Sequence, residues 1–166
     1  MAIVEGLLQE LEQEAQTTRR VLERVPNDQL AWRPHVKART LGELAMHIAI
    51  VPGAVAELVA TADTVQVPQF TEPQLQSASD LIPLLEESIA KAKKLLSGKD
   101  DASLLATWRM MQGERELIAL PRVAMLRSIM LNHWYHHRGQ LSVYLRELDV
   151  PIPSIYGPSA DENPFA

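Results

Sequence analysis

The chain contains no cysteine. That excludes a disulfide framework, a thiolate metal ligand and a cysteine nucleophile, so any thiol in its chemistry must arrive with a substrate or cosubstrate. Excess positive charge is also missing: 16 Lys and Arg against 21 Asp and Glu leave a formal net charge of −5. Surfaces that track phosphates draw their affinity from Lys and Arg, so no nucleic-acid partner is expected. No apolar run approaches the roughly 20 residues that a spanning helix needs, and Met1-Ala2-Ile3-Val4-Glu5-Gly6 lacks the basic region and cleavage site of a secretory signal. The resulting expectations are no membrane partner and a cytoplasmic location. Repeats and low-complexity segments are absent as well.

What remains is ordinary in bulk. A hydrophobic fraction of 46% and a charged fraction of 22% lie near the averages for soluble globular proteins. The 166 residues suit one domain, 1–166, that buries roughly two-thirds of its unfolded surface.

Periodicity predicts four helices. The first runs from about Ile3 to Val25, with Leu7, Leu11, Ala15, Thr18, Leu22 and Val25 on one stripe and Pro26-Asn27 as its stop. Glu14 is the misfit, because about 100° per residue sets it roughly 20° from Leu7 on the buried side, where an unpaired carboxylate is expensive. The second begins at Thr40, where Thr40-Leu41-Gly42-Glu43 is a capping box, and carries Leu41, Leu44, Ile48, Val51, Val55, Leu58 and Val59. His47 lies on that apolar face, and Pro52-Gly53 predicts a kink or a freed carbonyl one turn beyond it. Ala62 to Ala78 is polar and aperiodic, a surface crossing long enough for a parallel crossover. The third helix spans about Asp80 to Ser97, with Leu81, Leu85, Ile89, Ala92 and Leu96 buried and Lys91, Lys93 and Lys94 at the negative end of its dipole. From Asp100 to Leu120 the helical period fails in favour of two extended pieces around Gln112-Gly113. The last helix starts near Pro121 and reaches about Leu148, before Val150-Pro151-Ile152-Pro153 forces an extended C-terminal tail from about 149.

Three of the five histidines fall in Asn132–Gln140 of that last helix. Leu126 and Tyr144 are five turns apart and mark one line; His133 and His137 fall about 20° to either side of it, His136 about 80° away. Residues four apart share a helix face, so two such imidazoles can ligate one ion. Trp134 stands where the zinc-protease helix motif demands Glu, which removes that reaction class. His47 is the inward histidine left for a third ligand, and His35 belongs to a surface loop. A lone histidine on an apolar face is ordinarily a hydrogen-bonded core residue. The pattern therefore leaves two readings, three separately satisfied imidazoles or one shared metal site.

The stretch from His133 to Arg146, followed by Val150-Pro151-Ile152-Pro153 and Ile155-Tyr156-Gly157-Pro158, resembles the DinB-like damage-inducible family. Pro26, Trp32-Arg33-Pro34, the Thr40–Leu44 cap and His47-Ile48-Ala49 extend the match over most of the chain. The resemblance implies an all-α four-helix bundle with a long crossover connection, a short irregular or hairpin insert before the last helix, and a homodimer. It also implies a divalent metal held by His47, His133 and His137. Zinc or nickel is the expected ion, with iron or manganese as further options, although imidazole by itself suits zinc, nickel, iron and copper alike.

Three imidazoles leave coordination positions open, the arrangement of catalytic rather than closed structural sites. Thiol-dependent transferases within the wider superfamily suggest a metal-dependent S-transferase acting on a small molecule with a low-molecular-weight thiol. The alternative is a noncatalytic metal-binding stress-response bundle acting through dimerisation or ligand sensing. No catalytic residue is identified; the candidate is Gln140, one turn beyond His137, which would orient a substrate or simply bond between helices. Glu14 is the candidate for holding a ligand imidazole from behind. Gly139 suggests close helix approach, Arg138 a solvated or interface charge, and Trp134 and Tyr135 dimer-contact or exposed aromatics away from the metal line.

Overall fold

The first helix, α1 (Ile3–Leu22), buries Leu7, Leu11, Ala15, Thr18 and Leu22 as their spacing requires, with Val4, Glu14 and Val21 beside them. The structure, a computed structural model, describes residues 2–69 and 73–166. In the first turn of α1 the Ile3 amide donates to Asp101 Oδ1 at 2.8 Å, so a distant carboxylate satisfies one of the amides a helix start leaves open.

α2 (Leu41–Ala60) starts on the reciprocal bonds expected of its sequence. The Glu43 amide donates to Thr40 Oγ1 at 3.1 Å and the Thr40 amide to Glu43 Oε2 at 2.7 Å. The helix continues through Pro52, and its apolar residues form the centre of the core. Contrary to the expectation that no segment is apolar enough, α2 has the length and composition to cross a membrane, yet most of it is buried inside the protein. That is the signature of a core helix hydrophobic nearly all round.

α3 (Leu81–Leu96) follows a single 3-10 turn, Ala78–Asp80, and packs along α2. Its buried line is Leu81, Leu85, Ser88, Ala92 and Leu96, with Ser88 in the place expected of Ile89. The reason is close approach: a Cβ on Gly53 would stand 2.8 Å from the Ser88 carbonyl oxygen. Ser88 Oγ accepts from the Gly53 amide at 2.8 Å and donates to the Ile50 carbonyl at 3.1 Å, repairing the backbone around Pro52. Gly139, expected to permit close approach, instead faces open space.

The expected crossing includes residues 70–72, which lie outside the described residues. Before them runs a short strand, β1 (Thr64–Gln66), absent from the expectation because three residues with one apolar position are too few to carry a strand period. A short helix, α4 (Asp101–Leu105), capped by Asp100 Oδ1 on the Ser103 amide at 2.8 Å, precedes β2 (Thr107–Gln112) and β3 (Arg115–Pro121). These last two are the anticipated extended pieces. They pair antiparallel around Gly113, at φ 60°, while β1 joins β2 in parallel. Leu117 is the extra residue where the register shifts beside Met110 and Met111.

The final helical run has three parts: α5 (Arg122–Met125), a π-helical stretch (Leu126–Asn132) and α6 (His133–Glu147). Arg122 is buried and donates to the carbonyls of Val59 and Ser103 at 2.8 and 2.7 Å and to Asp63, tying the end of α2 to the start of this run. Asp149, at φ 56°, ends the run, and the chain continues as a tail without helix or strand. The result is an all-α bundle with a small sheet inserted before its last helix.

Candidate metal centre

The π stretch changes the phase of everything after it. Its wider turns displace α6 relative to a uniform α-helix, so Leu126 and Tyr144 do not share one line as a constant 100° predicts. The fully buried line of α6 is Trp134, Arg138, Leu141 and Leu145, and His133 and His137 flank it, half-buried. Trp134 and Arg138 thus stand corrected, from outward residues to core residues.

His47, on α2, meets that flank. The Nε2 atoms of His47 and His133 are 3.0 Å apart, inside the span of about 4.2 Å available to two nitrogens bound to one ion at 2.0–2.1 Å. The rings of His137 lie 4.6 Å from His47 and 4.4 Å from His133, centroid to centroid and nearly perpendicular to both. One ligating nitrogen from each of the three residues lies within 4.8 Å of the others. His47, His133 and His137 therefore form a cluster able to coordinate a metal ion. His136 is exposed, its ring 5.1 Å from that of His137, and His35 is exposed in its loop, where Nδ1 accepts from the Lys37 amide.

Electrostatics prepare the cluster for a cation. Burial pushes the His137 imidazole down to about 4, against the pull of its Gln140 bond, and the charges His133, His47 and His136 could carry push the same way. Its ring is neutral at physiological pH, the state in which imidazole is a ligand. Gln140 accepts from or shares a proton with His137 Nδ1 at 2.7 Å. With Nδ1–H donating to the Gln140 oxygen, Nε2 is left as the free lone pair, the usual way a neighbouring group fixes a ligand's tautomer. Gln140 thus bonds within its own helix to His137 rather than across to another. Replacing Gln140 by leucine is expected to weaken zinc or nickel binding by roughly 10- to 100-fold, with little change in melting temperature because the side chain is exposed. Competition titration with a chromogenic chelator reads the first effect.

Glu14 is buried, but it does not serve the histidines as expected. Its Oε2 accepts from Arg138 Nη2 at 2.6 Å and from the Tyr156 hydroxyl at 2.9 Å. Arg138 Nη1 also reaches the Glu14 carbonyl at 3.2 Å and Thr18 Oγ1 at 3.0 Å. The guanidinium sits between the Tyr135 and Tyr156 rings, 5.2 and 5.1 Å from their centroids. Burial and the bond to Glu14 hold the Tyr156 phenol above its ordinary range, so it stays a donor. Sequence reasoning recognised that Glu14 needs a partner yet missed the partner. The available signal was Arg138, four residues from Trp134 and so on the same helix face.

Behind the histidines, a cavity of about 720 Å³ opens on His47 and His133 and is otherwise walled mainly by Ile50, Val51, Ala54, Leu58 and Ile129. The His47–His133 pair and an apolar chamber share one wall.

Comparisons with known proteins agree with this architecture. The chain is 26% identical over 163 residues to the uncharacterized protein YrdA of Bacillus subtilis (strain 168), covering 96% of this chain and 91% of that one. Its fold is shared with solved structures, among them two DinB-like proteins. A DinB-like protein from Bacillus cereus ATCC 10987 superposes with a TM-score of 0.69 at 23% identity, over 92% of this chain and 97% of that chain. The DinB-like protein YjoA of Bacillus subtilis gives 0.67 at 21%, over 87% and 92%. The model of the DinB family matches residues 2–163, and the chain belongs to that family.

Proposed function

We propose that this DinB-family chain is a divalent-metal-dependent enzyme that joins a low-molecular-weight thiol to a small apolar electrophile. The observation that carries the reading is the cavity: its apolar walls end on His47 and His133. A metal held by His47, His133 and His137 would supply Lewis-acid polarisation and favour the thiolate form of an incoming thiol at neutral pH. We take the ion to be zinc or nickel, both metals that imidazole suits.

The chain's own residues do the rest. Ile50, Val51, Ala54 and Leu58 exclude water from the apolar part of the substrate. Gln140 keeps the His137 ring in one tautomer. Glu57, on the cavity wall, is paired with Lys91 at 2.6 Å. The transferred sulfur must come from outside, because the chain has no cysteine. In the proposed step the thiol gives its proton to water, its sulfur bonds to an electrophilic carbon, and the bond from that carbon to its leaving group breaks with the electrons going to the leaving group, a halide that departs or an epoxide oxygen that takes a proton from water. We place the enzyme in the cytoplasm as a single-domain homodimer, in keeping with the family resemblance.

The test is a conjugation screen. Metal-loaded protein is offered glutathione, bacillithiol or mycothiol with a panel of alkyl halides and epoxides, and loss of free thiol is followed. Turnover with one thiol that disappears on chelation is the expected result. Full metal loading with no turnover for any thiol would favour the noncatalytic metal-binding bundle instead.

A further inference from the structure

Pro52 has no amide hydrogen, and in an α-helix the group deprived of its donor is the carbonyl four residues earlier, that of Ile48. Trp134 fills the place. Its Nε1 donates to the Ile48 carbonyl at 2.8 Å, and both residues are fully buried, so water has no access to either partner. A buried carbonyl without a donor would be costly, which makes this bond hard to break.

Its position gives the bond a second meaning. Ile48 directly follows His47 on α2, and Trp134 directly follows His133 on α6. The two pairs have the same sequence separation, 86 residues, so the indole bond and the His47–His133 contact lie side by side in one register. A slip of α6 along α2 by one residue, about 1.5 Å, would stretch and misalign the first and spread the second. From the opposite side Ser88 holds the Ile50 carbonyl and the Gly53 amide, so the turn of α2 around Pro52 is fixed from α3 as well.

We infer that Pro52 and Trp134 together position the metal centre: Pro52 opens the Ile48 carbonyl, and the Trp134 indole seated on it sets the distance and register between His47 and His133. Trp134 touches no reacting atom; it is a positioning residue. The inference rests on the reading of the three histidines as a metal site.

Three variants separate positioning from mere satisfaction of a buried carbonyl. Trp134→Phe removes the donor. Pro52→Ala returns a helical amide that competes for the same carbonyl. The double variant satisfies the carbonyl within α2 and leaves the two ligand helices unclamped. Nickel affinity by calorimetric titration and urea midpoint are measured for each. Trp134→Phe is expected to lower the midpoint and weaken nickel binding by roughly 10- to 100-fold. In the double variant the midpoint recovers while nickel binding stays weak. Recovery of both together would overturn the positioning role, as would wild-type affinity in Trp134→Phe. Should Trp134→Phe not fold, Pro52→Ala decides alone: weakened binding supports the clamp, and unchanged binding contradicts it. A wild-type protein that binds no nickel overturns the metal reading beneath, a result distinct from any of these.

Discussion

Replacing His137 by alanine is expected to abolish stoichiometric metal binding while leaving the bundle folded. The cluster draws on only two helices, with His47 from α2 and His133 and His137 from α6, so losing one imidazole leaves two donors and a weak site. The effect should exceed that of losing a neighbouring hydrogen-bond partner, so affinity falls by more than about 100-fold. Folding should survive because His137 is half-buried at the flank of α6, outside the apolar core. The readout is ligand-induced stabilisation. A metal present at a hundred times its Kd adds about 2.7 kcal/mol to wild-type stability, and the variant should melt at the same temperature with or without it. His47→Ala and His133→Ala should behave alike. A variant that keeps its metal-dependent shift would remove that residue from the ligand set.

The second large effect lies one residue further along. Arg138→Met should destabilise the protein by about 3–5 kcal/mol, since removing one partner of a buried ion pair strands the other. Glu14, itself buried, would keep only the hydroxyl of the more exposed Tyr156 as a side-chain donor. Against total stabilities of about 5–15 kcal/mol, this takes the protein close to unfolding under mild conditions. The companion variant Glu14→Leu with Arg138→Met should recover much of the loss, because an apolar pair of similar volume carries no desolvation penalty. Arg138→Lys should not rescue: a lysine cannot reach Glu14, Thr18 and Tyr156 at once, as the fork of the guanidinium does. Urea titration of the three variants checks the order. Tyr156 belongs to the tail after α6, so the same network also fastens that tail to α1.

Local features of this fold are open to sequence reasoning and long-range ones are not. The Thr40–Glu43 cap and the stripe of α1 are written within a few residues of themselves, and both form as their spacing requires. His47, His133 and His137 stand out in the sequence because inward histidines at helical spacing are few. Their exact phase was not legible, because a π stretch at Leu126–Asn132 has no sequence pattern of its own and rotates all that follows. That one irregularity turned Trp134 and Arg138 from apparent surface residues into core residues. Gly53 and Gly139 show the same limit. Either glycine could permit close helix approach, and only the neighbouring helix decides that Gly53 does. β1 was invisible for a related reason: its partner in the sheet lies more than forty residues away.

Pro52 is the instructive middle case. Its sequence position announces a freed carbonyl close to His47; that carbonyl belongs to Ile48, the next residue, and the donor that answers it comes from another helix. A proline in an apolar helix, beside a candidate ligand, is therefore a reason to search for a buried indole or hydroxyl elsewhere in the chain.

The most direct test of the account is the metal content of the purified protein. Protein prepared without chelators, and offered zinc, nickel and manganese in turn, should retain about one divalent ion per chain after gel filtration, by elemental analysis. His137→Ala prepared in parallel should retain none. Wild-type protein that emerges free of metal under every one of these conditions would contradict the assignment of His47, His133 and His137 as a metal centre, and with it the proposed chemistry.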